Sequence, residues 1–156
     1  MLLAIYLNDH LAGSTVGREL AQRAASSNRG NAYGDFLDGL ATEIAEDRET
    51  LIEIMRALDV GVDRLKTLGA WGAEKLGRLK PNGRLLEYSP LSRVVELEGL
   101  ALGINGKLAL WRTLEKLAPG RPELASFDIV ALAERARSQL ERLEPHRLRA
   151  ATEALA

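Results

Sequence analysis

The sequence contains no cysteine. This absence excludes disulfide bonds, thiolate chemistry and cysteine-ligated zinc sites. No apolar run approaches the roughly 20 residues that a transmembrane helix needs. Met1, Leu2 and Leu3 are followed too soon by the polar residues Asn8 and Asp9 to form a signal peptide. We therefore expect a cytoplasmic protein with no transmembrane segment.

Net charge is also nearly absent. The formal value of −1 at pH 7 argues against nucleic acid as the main partner. Charge is nevertheless uneven along the chain, with eight acidic and two basic residues in 34–59 and seven basic and three acidic residues in 61–93. We expect the basic segment 64–84 to pack near the acidic helix. The alternative is binding to an anionic surface through Arg64, Lys66, Lys75, Arg78, Lys80 and Arg84.

No segment alternates apolar and polar residues with period two, so the sequence predicts no β-sheet. With 156 residues and 46% hydrophobic content, the chain can bury a substantial core as one domain, residues 1–156. Apolar residues recur at helical spacing in four long segments, which predicts an all-α helix bundle. The predicted helices cover about 2–25, 35–58, 90–117 and 129–154.

Four residues are candidates for the helix starts. Asp35 is the expected N-cap of helix two, and Ser89, followed directly by Pro90, is the expected N-cap of helix three. Ser126 or Asp128 caps helix four. The connection between helices two and three is long for a simple hairpin and should contain a short, glycine-rich extra helix within 62–79. It is long enough to return along the bundle, which would make helices two and three parallel.

Two helices carry faces of special composition. Gly13, Gly17 and Ala21 lie four residues apart on helix one, where another helix could approach closely. Helix three is apolar on two sides, which predicts that it lies deep in the bundle. The small-residue face of helix one or the glycine-rich segment 62–79 is the expected docking surface of a homodimer.

Asp47 interrupts an apolar stripe in the middle of helix two. The stripe comprises Leu37, Leu40, Ile44, Leu51, Ile54 and Leu58. A carboxylate inside such a stripe is costly unless another group pairs with it. The other helices also place polar residues within their predicted inward stripes, namely His10 and Ser14, Glu98 and Asn105, and Gln139. Central polar groups from several helices are typical of a metal site in a bundle core.

At this point the chain resembles the ferritin-like superfamily, in its four long helices, its long second connection and its central polar groups. The tetrapeptide Tyr6-Leu7-Asn8-Asp9 is similar to the opening of a ferritin-like bacterial stress family of unassigned activity. The resemblance implies a ferritin-like four-helix bundle. However, ferritin-like di-iron sites use Glu-x-x-His on two helices, and this sequence contains no such motif.

Two interpretations of the polar residues follow. In the first, they form a hydrogen-bonded core network in which a His10–Asp47 pair raises the histidine pKa. The protein is then a structural or interaction protein, stress-related by the resemblance, that needs no cofactor. In the second, His10, Asp47 and Glu98, helped by Glu43 and Glu46, bind a divalent metal for storage or redox chemistry. The sequence leaves open whether the chain is an enzyme.

Overall fold

The computed structural model describes residues 1–63 and 88–156. Its long helices are α1 (Leu2–Ser27), α2 (Gly34–Ala57), α3 (Pro90–Leu117) and α4 (Ile129–Leu155). Two short 3-10 turns, Ala118–Gly120 and Pro122–Leu124, join α3 to α4. No strand occurs in these two ranges, which agrees with the all-α prediction for this part of the chain. The extra helix predicted within 62–79 and the basic segment 64–84 lie almost entirely outside the described residues.

Side-chain caps begin the last two long helices as the sequence predicts. The Ser89 hydroxyl accepts a hydrogen bond from the Ser92 backbone N–H at 3.1 Å, and proline follows at the first helical position. The Asp128 carboxylate accepts one from the Ala131 N–H at 2.9 Å. Asp128 rather than Ser126 is therefore the cap of α4. Each such cap contributes about 1 kcal/mol of stability.

The turn between α1 and α2 sets the start of α2, and the prediction that Asp35 caps this helix is wrong. Asp35 lies inside the first turn, where its charge still suits the helix dipole. The Asn31 side chain accepts a hydrogen bond from the Tyr33 N–H at 2.9 Å and tightens the turn. A Cβ on Gly34 would lie 2.7 Å from the Asn28 carbonyl oxygen, so this close approach requires glycine.

Contacts at the two ends of the bundle fix the helix directions. Tyr6 contacts Thr113, whereas Arg23 contacts Glu96, so α1 and α3 are antiparallel. Residues later in α4 contact residues earlier in α2, so these two helices are also antiparallel. Because successive helices in each hairpin are also antiparallel, α2 and α3 point the same way. The connection between α2 and α3 accordingly starts at the end of the bundle where Asn8 lies, and the chain enters α3 at the opposite end of the bundle.

The core lies between α1, α2, α3 and α4. Its largest fully buried side chains are Trp111, Leu7, Leu11, Leu37, Leu40, Leu51, Ile54, Met55, Leu97, Leu100, Ile104 and Leu110. α1 packs on α2 and α3, and α3 packs on α4. α2 and α4 instead meet chiefly through long polar side chains. Polar residues therefore bridge the side of the bundle that lies between α2 and α4.

The second apolar side of α3 is not covered by any described residue, contrary to the prediction that this helix lies deep in the bundle. Leu91 and Leu102 are 53% and 75% exposed. Gly13 and Gly17 of α1 do not pack closely against another described helix, since no described residue lies within 4 Å of where a Cβ would stand on either glycine. Close packing occurs instead at Gly99 of α3, against Leu20 of α1.

Candidate functional site

Asp47 is buried in the middle of α2, as its position in the apolar stripe predicts. Only 2% of its side chain is exposed. Its Oδ2 accepts hydrogen bonds from the Lys107 ammonium group of α3 and, at 3.1 Å, from the Gln139 amide of α4. Lys107 also donates to the Gln139 carbonyl oxygen at 2.5 Å. These three residues form a closed triangle, called here the Asp47 triad, that joins three helices.

Four further charged residues surround the triad between α2 and α4. Glu43 accepts a hydrogen bond from Gln139 at 3.0 Å and two from the Arg142 guanidinium at 3.0 and 2.6 Å. Arg135 donates to Glu46, and its Nε lies 3.6 Å from the second Asp47 oxygen. Three carboxylates thus face three cations, so the network as a whole is neutral.

Burial and pairing act in opposite directions on these groups. Burial lowers the pKa of Lys107, and the charge and hydrogen bond of Asp47 oppose only part of this effect. For Glu43, burial tends to raise the pKa, but hydrogen bonds from Arg142 and Gln139 outweigh it and leave the pKa lowered. No described residue donates a hydrogen bond to the buried Asp47 Oδ1 atom. Asp47 therefore depends mainly on Lys107 for compensation of its charge.

The structure does not bring His10 to Asp47, so the predicted pairing of these residues is wrong. His10 lies at the side of α1, where its ring meets that of Tyr6 edge-on with centroids 4.5 Å apart. Burial lowers the pKa of His10, and the charge of Asp9 opposes this only in part. The predicted rise in this pKa is wrong for the same reason, because the carboxylate that would have raised it is bound to Lys107.

Of the other predicted polar residues, Gln139 does contact Asp47, whereas Glu98, Asn105 and Ser14 do not. Glu98 is exposed and lies 3.5 Å from Arg147. Asn105 is exposed and donates to the Ala101 carbonyl oxygen of its own helix. Ser14 likewise donates to the carbonyl oxygen of Leu11 at 2.7 Å. Glu98 and Asn105 both lie on the side of α3 that faces away from the core, so the prediction that they face inward is wrong.

The predicted metal ligands are consequently not assembled. Among residues 1–63 and 88–156, no three histidine, aspartate or glutamate side chains are arranged to hold a metal ion. His10 and Glu98 lie apart from Asp47, and a lysine ammonium group contacts the Asp47 carboxylate. Glu43 and Glu46 do lie near Asp47, but each is engaged by an arginine. These donors do not fit a di-iron centre.

Lys107 is the functional residue that the sequence interpretation missed. It is the sole charged residue between Glu98 and Arg112. It also follows Ile104 by three residues and precedes Trp111 by four, which places it on the buried side of α3. A lysine at that spacing within an apolar segment was therefore the available signal for a partner of Asp47.

A second polar network lies at the opposite end of the bundle from Asn8. Asn28 is fully buried and donates to the Tyr88 hydroxyl at 2.7 Å, while its carbonyl oxygen accepts from Arg93 at 2.6 Å. Tyr88 donates in turn to Glu96 at 2.9 Å. Burial and the Glu96 charge raise the pKa of Tyr88 to about 12, so it remains a hydrogen-bond donor at neutral pH. This network fastens the start of α3 to the end of α1.

Asn8, in the tetrapeptide of the resemblance, has a structural role. Its amide donates to the Gly61 carbonyl oxygen at 3.0 Å, and its side-chain oxygen accepts from the Asp63 N–H at 2.7 Å. The side chain thus holds the chain that leaves α2 against the start of α1.

Comparisons with protein-family models, curated proteins and solved structures give no match to this chain. Within the described residues, no helix is long and apolar enough to cross a membrane.

Proposed function

We propose that this chain is a ferritin-like helical bundle that acts as a structural or interaction protein and has no working di-iron centre. The observation that carries the proposal is the contact of the Lys107 ammonium group with Asp47. Asp47 is the most central acidic residue of the predicted site, and its compensating cation is a side chain of the same protein. The parallel course of α2 and α3 supports the ferritin-like part of the proposal.

A structural role also agrees with how the triad is built. A buried ion pair contributes little net stability compared with apolar residues, because removing both charges from water is costly. It does, however, penalise alternative helix registers, since any slip would leave a buried charge without its partner. The triad joins α2, α3 and α4 at one level of the bundle. This arrangement supports a role in fixing the register of these three helices.

Elemental analysis of the purified full chain, combined with thermal unfolding in chelator, tests the proposal. We expect no stoichiometric iron, manganese or zinc and an unchanged unfolding temperature when chelator is added. Stoichiometric metal that is lost in Asp47→Ala would refute the proposal and favour the metal-binding interpretation. The matched control is Glu134→Ala, which removes an exposed carboxylate from α4 and leaves Asp47 in place.

A further inference from the structure

The last part of α4, residues 146–155, is weakly anchored in the core and is called the α4 end below. Between Ile129 and Pro145 the helix buries a side chain in every turn, whereas only Ala150 is buried among the described residues after Pro145. An alanine methyl group removes little apolar area from water. Burial in the core therefore contributes little to the attachment of the α4 end.

Pro145 separates the α4 end from the rest of the helix. Proline has no backbone N–H, so Pro145 cannot donate the helical hydrogen bond to the carbonyl oxygen of Glu141, four positions earlier. Isolated helices shorter than about 12 residues are also marginal in water. The α4 end accordingly depends on its side-chain contacts to stay in place, and its separation at Pro145 breaks one backbone hydrogen bond fewer than a break elsewhere in α4.

Aromatic and polar contacts hold the α4 end against the start of α2. The His146 ring stacks on the Phe36 ring, with ring centroids 4.0 Å apart and planes inclined by 12°. Its centroid also lies 5.9 Å from that of the Tyr33 ring. Further along α4, Glu153 accepts a hydrogen bond from the Tyr33 hydroxyl at 2.8 Å, and the Arg149 guanidinium lies 5.4 Å from the Tyr33 ring centroid. These contacts attach the α4 end to the bundle.

The surroundings of His146 disfavour a positive charge on its ring. Arg149 follows it by three residues in α4, and Arg93 of α3 lies 4.5 Å from the Tyr33 ring centroid. The nearby Glu153 carboxylate is already engaged by Tyr33 and Arg149. Burial and then the charge of Arg149 lower the pKa of His146, and no carboxylate of a described residue opposes this shift. The neutral ring is therefore the form that suits the closed contacts.

The other neighbours of His146 do not reverse this preference. One turn earlier in α4, Arg142 is paired with Glu43 of α2 at 2.6 Å, so this pair adds no net charge. The face of the Phe36 ring attracts a cation, but burial and the charge of Arg149 act against that attraction.

We propose that the α4 end is a pH-dependent latch, which stays closed on Tyr33 and Phe36 while His146 is neutral and opens at Pro145 when His146 is protonated. As pH falls below 6.5, the solvated histidine of an open α4 end takes up a proton before the histidine of the closed form does. The open population therefore rises, by up to about tenfold for each pH unit. Opening uncovers Tyr33, which is 3% exposed in the closed form. This device is independent of the Asp47 triad and of the proposed function.

Amide hydrogen exchange of the full chain, measured by NMR between pH 7.5 and 5.5, tests the latch. Protection factors, which correct for the intrinsic pH dependence of exchange, should fall by about three- to tenfold for residues 147–152 at the lower pH. Those of residues 132–143, in the first part of α4, should change less. His146→Gln replaces the titrating ring by a neutral amide and should abolish the fall. His10→Gln is the matched control and should leave the fall in place.

Titration of the histidine ring signals provides a second test, because the chain has two histidines that the single variants assign. The pKa of His146 should lie below 6.5 in the wild type. Glu153 should stay ionised over the same range, since hydrogen bonds from Tyr33 and Arg149 lower its pKa. A His146 pKa at or above 6.5 overturns the proposal. Protection that does not depend on pH, that falls equally in both parts of α4, or that still falls in His146→Gln overturns it as well.

Discussion

The Asp47 triad makes a quantitative prediction through a double-mutant cycle of Asp47→Leu and Lys107→Met. Asp47 is 2% exposed and the Lys107 side chain is 15% exposed, so water compensates only a small part of either charge when its partner is removed. Either single substitution leaves one buried charge uncompensated, and we expect each to lower the free energy of unfolding by about 3 kcal/mol. For Lys107→Met, Arg135 compensates the stranded carboxylate only in part because it lies 3.6 Å away.

The double variant should be much less affected than the two single variants together. Replacing a whole buried ion pair by apolar residues of similar volume is often close to neutral, so we expect a net change within about 1 kcal/mol. The resulting coupling energy should be at least about 2 kcal/mol. Urea unfolding followed by far-UV circular dichroism at pH 7 measures all four proteins, provided that unfolding is two-state.

An exposed ion pair within α4, which carries neither Asp47 nor Lys107, is the control for this cycle. Arg137 pairs with Glu134 three residues away, with side-chain exposures of 35% and 63%. Arg137→Met should change the free energy of unfolding by no more than about 0.5 kcal/mol. Two results would refute the reasoning that Asp47 and Lys107 compensate each other. In the first, each single substitution lowers the free energy of unfolding by less than about 1 kcal/mol; in the second, the effect of the double substitution equals the sum of the two single effects.

Three further predictions concern the backbone, the core and pH. Gly34→Ala should lower the unfolding free energy by about 1–3 kcal/mol, because its Cβ would lie 2.7 Å from a carbonyl oxygen, whereas Gly39→Ala, with open space around it, should raise it by about 0.5–1 kcal/mol. Leu100→Ala should cost about 2–5 kcal/mol and Leu102→Ala less than about 0.5 kcal/mol, since these residues are 2% and 75% exposed; equal costs would contradict the assignment of the α3 faces. Burial lowers the pKa of His10 from the ordinary value of 6.5. As pH falls below 6.5, the unfolded chain therefore takes up a proton at this histidine before the folded chain does. This difference lowers the free energy of unfolding below pH 6.5. Unfolding curves between pH 5 and 8 should therefore become less pH-dependent in His10→Gln, and an unchanged slope would contradict the burial argument.

Much of the fold follows from local patterns in the sequence. The four helices, the Ser89 and Asp128 caps and the buried positions of Asp47 and Gln139 agree with the structure, because periodicity and capping act over only a few residues. The exposure of Glu98 and Asn105 was not predictable in the same way. α3 has two apolar sides, and periodicity alone does not indicate which one faces the core.

The partner of Asp47 shows where local reasoning stops. The sequence by itself determined that a carboxylate would lie in the apolar stripe of α2, since helical spacing places it there. Only the tertiary structure decided that the compensating cation is Lys107 of α3 rather than His10 of α1, because that choice depends on how the helices are arranged around one another. Helix spacing is set by neighbours in the chain, whereas a buried ion pair joins residues 60 positions apart that meet only when the bundle forms.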